Sequence, residues 1–268
     1  MHYIDCSNIK EWWILGISPT EQKVYKEFYR TKVALVEDAK AFLGDYRKAV
    51  LALNGLAEKK YAKKIKRGLY AIVPFENAPD VQENFVPNKI LVANKFTSNS
   101  FLSHHTALEV HGAADKEMYV NFITTSNRVP SLTYKGMKYF CIKTLHFFGN
   151  EEKDFLDNRI NVSDKERTII DCLRNLNYSY GFDEIKRAVP KLAPFDFEKI
   201  FSYMKKINEV SLFSRVGYTF SLLRAEAATP DWFIEKCKGE LTNRTYYLDN
   251  TKKGSSKHVK EWKLMVPL

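Results

Sequence analysis

The sequence has only four cysteines in 268 residues (Cys6, Cys141, Cys172 and Cys237), far apart and with no CxxC pair. That argues against a zinc ribbon or a disulfide framework. Glycine and proline are also sparse, at 11 and 9 residues, which excludes a fibrous chain. Apolar runs are short. Leu69–Phe75 is among the longest, well below the ~20 residues a membrane-spanning helix needs. The opening MHYIDCSNIKEWW lacks the basic-then-apolar order of a secretory signal. Walker loops, GxSxG, HExxH and a GxGxxG leading into a helix are all missing. Together these absences predict a cytoplasmic protein with no cofactor, no metal centre, no membrane contact and no catalytic residues.

What is present is a core-forming chain with a localised positive charge. Apolar residues make up 45% and aromatics 14%, too much for a disordered protein. At ~100–200 residues per domain the length implies two domains. The net charge is +10, and between Thr20 and Tyr70 there are 13 basic against 6 acidic residues. Asp249–Lys263 adds 5 basic against 2 acidic, and the rest of the chain is balanced. The densest stretch is Lys59, Lys60, Lys63, Lys64, Lys66 and Arg67, six cations in nine positions with no carboxylate. A charge run alone usually marks a solvated face. Its local context decides whether it is a footprint for a polyanion.

That context is helical, then strand-like. Pro19-Thr20 opens a pattern with Val24 and Phe28 on one stripe, and a second pattern runs through Leu35, Ala39, Phe42 and Leu43. Gly44 supplies a turn and Asp45 an N-cap for a third helix, whose inward stripe reads Ala49, Val50, Leu53 and Ala57 with Leu56 beside it. Strand formers then flank a basic bend at Gly68, which reads as a hairpin. Three short helices and a basic hairpin predict a winged helix-turn-helix over residues 1–75, with an arm at 1–18 and a linker at 76–88. The remainder, 89–268, is expected to be a mixed α/β domain, making the chain α+β. A helix enters the major groove of duplex DNA with its first turns at the base edges. Tyr46, Arg47, Lys48 and Asn54 are therefore the base-reading candidates. Lys59, Lys60, Lys63, Lys64, Lys66 and Arg67 are the phosphate-contacting candidates. A winged helix that only docks a protein is the alternative.

The second region offers several tempting groups. Ser103 is a plausible cap for a short helix through Leu108, and Met118–Thr125, Met137–Ile142 and the text around Phe147 read as strands. Ser163 with Glu166 reads as a capping box, and Arg167 and Asp171 stand one helical turn apart as an ion pair. Two or three further helices are expected, at about 182–189, 196–207 and 210–223. His105 and His111 are six residues apart, on different helical faces, so cap and core roles fit better than metal binding. Asp231, Glu235 and Lys236 superficially resemble a nuclease set, but the second carboxylate strand is missing. A metal-dependent nuclease acting on bound DNA is thus a weak alternative. Lys252, Lys253, Lys257, Lys260 and Lys263 read as the solvated face of a terminal hairpin.

Taken in order, Lys66-Arg67-Gly68-Leu69-Tyr70, Ser103-His104-His105-Thr106-Ala107-Leu108 with His111-Gly112, and Val162-Ser163-Asp164-Lys165-Glu166-Arg167-Thr168-Ile169-Ile170-Asp171 resemble the AbiEi-type antitoxins. These are regulators in abortive-infection toxin–antitoxin systems, and the resemblance spans about residues 20 to 225. It implies an N-terminal winged helix that binds inverted repeats in its own promoter and represses it. It also implies a C-terminal antitoxin domain opposing a nucleotidyltransferase-like toxin, directly or functionally. The matching positions are structural: Gly68 for the bend, and Ser163, Glu166, Arg167 and Asp171 for a central helix. A stand-alone regulator without a toxin is the nearest variant of this reading. A two-fold operator would imply a homo-oligomer.

Overall fold

Ser18 starts the first helix by capping it. Its hydroxyl accepts the Glu21 N–H, the Ser18 N–H donates to the Glu21 carboxylate, and Pro19 takes the first helical position. The computed structural model describes residues 16–74, 85–249 and 254–268. The chain divides into two units, one running to Phe96 and taking in Leu156–Asn158, the other made of the rest.

The first unit runs α1 (Pro19–Tyr29), β1 (Val33–Leu35), α2 (Val36–Leu43), α3 (Tyr46–Glu58), β2 (Ala62–Lys66), β3 (Leu69–Ile72) and α4 (Lys89–Asn94). Its strands form an antiparallel sheet in the order β1-β3-β2, and every residue of the central β3 is buried. Gly44, left-handed at φ +70°, ends α2, and Asp45 caps α3. Val24, Tyr25 and Phe28 of α1 share a core with Ala49, Ala52, Leu53 and Leu56 of α3. The inward stripe of α3 is thus rotated slightly from the expected one. Ala52 lies inside, while Val50 and Ala57 are half-buried, as the i, i+3, i+4, i+7 spacing from Ala49 requires.

The unit boundary falls later than the expected linker. Residues 76–84 of that linker lie outside the described residues, but α4 belongs to the first unit. Lys95 bonds Asp38 of α2 at 2.9 Å, and Phe96 is buried with the Lys66 ammonium 3.8 Å above its ring. The expected arm at 1–18 lies outside the described residues apart from 16–18.

The second unit contains β4 (Ser100–Leu102), α5 (His104–Val110), β5 (Val120–Thr125), β6 (Leu132–Tyr134), β7 (Met137–Lys143), β8 (Asn150–Phe155), β9 (Asn158–Ser163), α6 (Lys165–Arg174), α7 (Phe182–Leu192), α8 (Phe197–Ile207), α9 (Val210–Leu222), α10 (Asp231–Gly239), β10 (Tyr246–Tyr247), β11 (Ser256–Val259) and β12 (Leu264–Pro267). A six-stranded sheet has the order β6-β7-β5-β4-β9-β8, with β5–β7 and β4–β9 parallel and β4–β5 and β6–β7 antiparallel. Ile169, Ile170 and Leu173 of α6 are buried with Val189, Met204, Val216, Phe220 and Phe233 from the other helices. The architecture is mixed α+β.

Two local expectations change. The text around Phe147 is irregular rather than a strand. Helix α6 is capped by Asp164, whose carboxylate accepts the Arg167 N–H at 2.8 Å, so Ser163 with Glu166 is not a capping box. Ser163 instead ends β9 and pairs its hydroxyl with Thr168 at 2.7 Å. Near the carboxyl end, Trp262 is buried against α9, where Gly217 makes room: a Cβ there would lie 2.1 Å from the indole. Among the described residues, no helix is long and apolar enough to cross a membrane.

Candidate nucleic-acid interface

The exposed side of α3 follows from its cap and its inward stripe. Asp45 Oδ1 accepts the Lys48 N–H at 2.8 Å, and this bond above all holds the Asp45 carboxyl below the usual carboxylate range. With Ala49, Ala52, Leu53 and Leu56 facing the core, Tyr46, Arg47 and Lys48 point outward from the first turn and are exposed. Leu51 joins them at 62% exposure. Both Arg47 and Lys48 are therefore presented to solvent.

Asn54 is placed differently from the expectation. It is half-buried, and its Oδ1 accepts the Tyr70 hydroxyl at 2.7 Å. Reading adenine needs an amide to donate and accept at once. Here Asn54 Oδ1 already takes one hydrogen bond inside the unit, so the side chain braces the surface.

The six cations expected on phosphates also divide. Lys59 donates to the Glu21 carboxylate at 2.7 Å. Burial pushes the Glu21 carboxyl up, but the bonds from Lys59 and Ser18 outweigh it and hold the group low. Lys63 donates to the Phe85 carbonyl at 3.2 Å, and Lys66 lies over Phe96. These three are engaged within the unit. Lys60, Lys64 and Arg67 are exposed, as is Lys59 despite its ion pair. Arg67 stands at the hairpin tip beside Gly68, whose φ of +80° lies in the left-handed region that favours glycine.

Tyr70 joins hairpin and helix. Its hydroxyl bonds Asn54 of α3, and the Lys64 ammonium lies 5.9 Å from its ring centre. Burial first, then the neighbouring Tyr46, raises the Tyr70 phenol above its ordinary value. Asn54 of the helix and Lys64 of the hairpin thus both lie near one side chain. Sequence reasoning missed Tyr70 as a brace, along with Glu21 and Phe96 as anchors for lysines. A tyrosine in a strand carries no sign of which residue its hydroxyl will meet.

In the second unit, Arg167 and Asp171 are both nearly fully buried and pair at 2.9 Å. Arg167 also donates to the carbonyls of His146 and Phe148 and lies over the Phe148 ring. Glu166 accepts the Asp196 N–H at 3.1 Å and the Lys199 ammonium at 3.2 Å, so it ties α6 to α8. His105 Nδ1 lies 3.2 Å from Glu109, whereas His111 bonds the Ser163 carbonyl at 2.8 Å. The two histidines have separate surroundings. Among the described residues, no three His, Cys, Asp or Glu side chains are grouped to hold a metal ion. Lys257, Lys260 and Lys263 lie on or beside β11, while Lys252 and Lys253 lie outside the described residues. Asp231 pairs with Arg224, and Lys236 with Glu198, across exposed surface.

No family model and no curated protein matches this chain. Its fold is similar to that of a solved structure, the RV2827C protein from Mycobacterium tuberculosis, with a TM-score of 0.60 at 12% identity over 94% of this chain and 92% of that one.

Proposed function

We propose that the chain is a sequence-specific DNA-binding repressor whose first unit is a winged helix-turn-helix, with β2 and β3 as the wing. In keeping with the AbiEi-type resemblance, it acts as an autoregulating antitoxin opposing a nucleotidyltransferase-like toxin. The observation that carries the reading is Tyr70. Its hydroxyl bonds Asn54 of α3 while the Lys64 ammonium of the hairpin lies 5.9 Å from its ring centre, which supports hairpin and helix acting as one surface. Arg47 and Lys48 reach toward base edges and Lys60, Lys64 and Arg67 toward phosphates.

Fluorescence anisotropy with a labelled duplex from the gene's own upstream region tests this, beside a shuffled duplex of equal length. Tighter binding to the upstream duplex, with that preference lost in Arg47→Ala, is the expected result. Failure to bind either duplex at low salt would overturn the reading. Growth rescue on co-expression with an adjacent nucleotidyltransferase separates the antitoxin from a stand-alone regulator.

A further inference from the structure

A polar cavity of about 400 Å³ opens in the second unit, far larger than the volume of a single water. Cations dominate its lining. Arg167, Arg174, Arg215 and Lys143 face two carboxylates, Asp171 and Glu209. Arg215 is itself 6% exposed and is fixed by carbonyls: Nε donates to Tyr247 and Nη1 to Arg174, each at 3.0 Å. Arg174 Nε lies 3.0 Å from both Glu209 oxygens. These bonds hold three guanidiniums in the lining of one space, and a guanidinium is a cation suited to phosphate.

One wall carries an unmet acceptor. Asp171 is 2% exposed, and its Oδ1 takes the Arg167 bond. Its Oδ2 is buried with no hydrogen-bond partner. A buried charged oxygen left unsatisfied is costly, so this atom marks where a donor belongs. Beside it stands His104, held at φ +51°. The Thr124 hydroxyl donates to Ser103 Oγ, which lies 2.9 Å from His104 Nδ1. Tyr178 lines the same space, edge-on to His104 with ring centres 5.2 Å apart.

We infer that this cavity binds a small phosphate ester bearing an N–H group, the nucleoside monophosphate class. The phosphate sits among Arg167, Arg174 and Arg215, an N–H of the base donates to Asp171 Oδ2, and the base lies beside Tyr178. The excess of cations over carboxylates selects an anion, and the unmet carboxylate oxygen selects a ligand that also donates. This site is independent of the DNA-binding reading.

Isothermal titration of the full chain with AMP, GMP, CMP, UMP, ribose 5-phosphate and inorganic phosphate tests the proposal. At least one nucleotide is expected to bind about tenfold or more tightly than ribose 5-phosphate, which has no N–H. Asp171→Asn should narrow that gap, and Arg174→Gln should weaken nucleotide and ribose 5-phosphate together, with circular dichroism confirming that each variant is folded. No binding of any of the four nucleotides at millimolar concentration overturns it, as does equal binding of ribose 5-phosphate or inorganic phosphate. Binding unaffected by both folded variants would do the same. Should neither variant fold, the wild-type series alone decides.

Discussion

Tyr70 and Asn54 are joined by a 2.7 Å hydrogen bond from phenol to amide oxygen, which links the central strand of the first unit's sheet to α3. Tyr70 is 2% exposed, so its removal leaves a half-buried amide oxygen without that donor. Tyr70→Phe is expected to lower unfolding free energy by about 1 kcal/mol in urea titrations. An unchanged midpoint would mean that water replaces the bond at no cost.

Gly55 on α3 faces the Glu21 carboxylate so closely that a Cβ would lie 1.9 Å from Oε1. Glu21 cannot simply swing aside, because Ser18 and Lys59 both hold it. Gly55→Ala gains roughly 0.5–1 kcal/mol of helix propensity. It should nonetheless destabilise the protein by about 1–3 kcal/mol in overpacking and a broken capping box. Thermal melting of the variant reads the sign directly, and a raised melting temperature contradicts the crowding argument.

The division among the lysines should appear in salt titrations. Lys64→Ala and Arg67→Ala are each expected to flatten the slope of log K against log salt by about 0.9. Lys59→Ala and Lys66→Ala should leave the slope nearly unchanged and lower stability instead, because those ammonium groups serve Glu21 and Phe96. Equal slopes for all four variants would show that the internal partners release their lysines on binding.

His104 gives the second unit a pH dependence. Burial above all, with help from Arg167 and Arg174 and against Asp171, holds its imidazole down to about 4. An unfolded histidine titrates near 6.5, so between these values the unfolded chain binds more protons. Stability is therefore present above pH 6.5 and lost as pH falls toward 4, by up to about 3 kcal/mol. His104→Asn, a residue tolerant of the positive φ, should lose less stability than wild type between pH 7 and pH 5. Parallel loss in both proteins would assign the effect to carboxylates.

Much of this architecture was legible because it is periodic. The helices at 182–192, 197–207 and 210–222 announce themselves by apolar spacing and by Asp196 as a cap. Gly44 and Asp45 mark the start of α3, and Gly68 the bend of the hairpin, through backbone and capping preferences that neighbouring residues alone determine. What could not be read depends on partners remote in sequence. The Tyr70 hydroxyl that meets Asn54 and the Phe96 ring beneath Lys66 both come from farther along the chain, and nothing local announces either. Helix α10 went unseen because Pro230 precedes it without a side-chain cap. The cavity around Asp171 draws on β5, α6, α9 and the turn at Tyr178, a set no local pattern assembles.

Gly217 and Trp262 bear on the last strands. The indole occupies a slot along α9 that exists only because one residue there has no side chain, and Ser214 secures the Trp262 carbonyl at 2.7 Å one turn earlier. A single methyl group at position 217 would evict the ring and unseat β11 and β12 with it. Lys260 and Lys263, which flank Trp262 in sequence, thus sit on a segment anchored in a gap of α9.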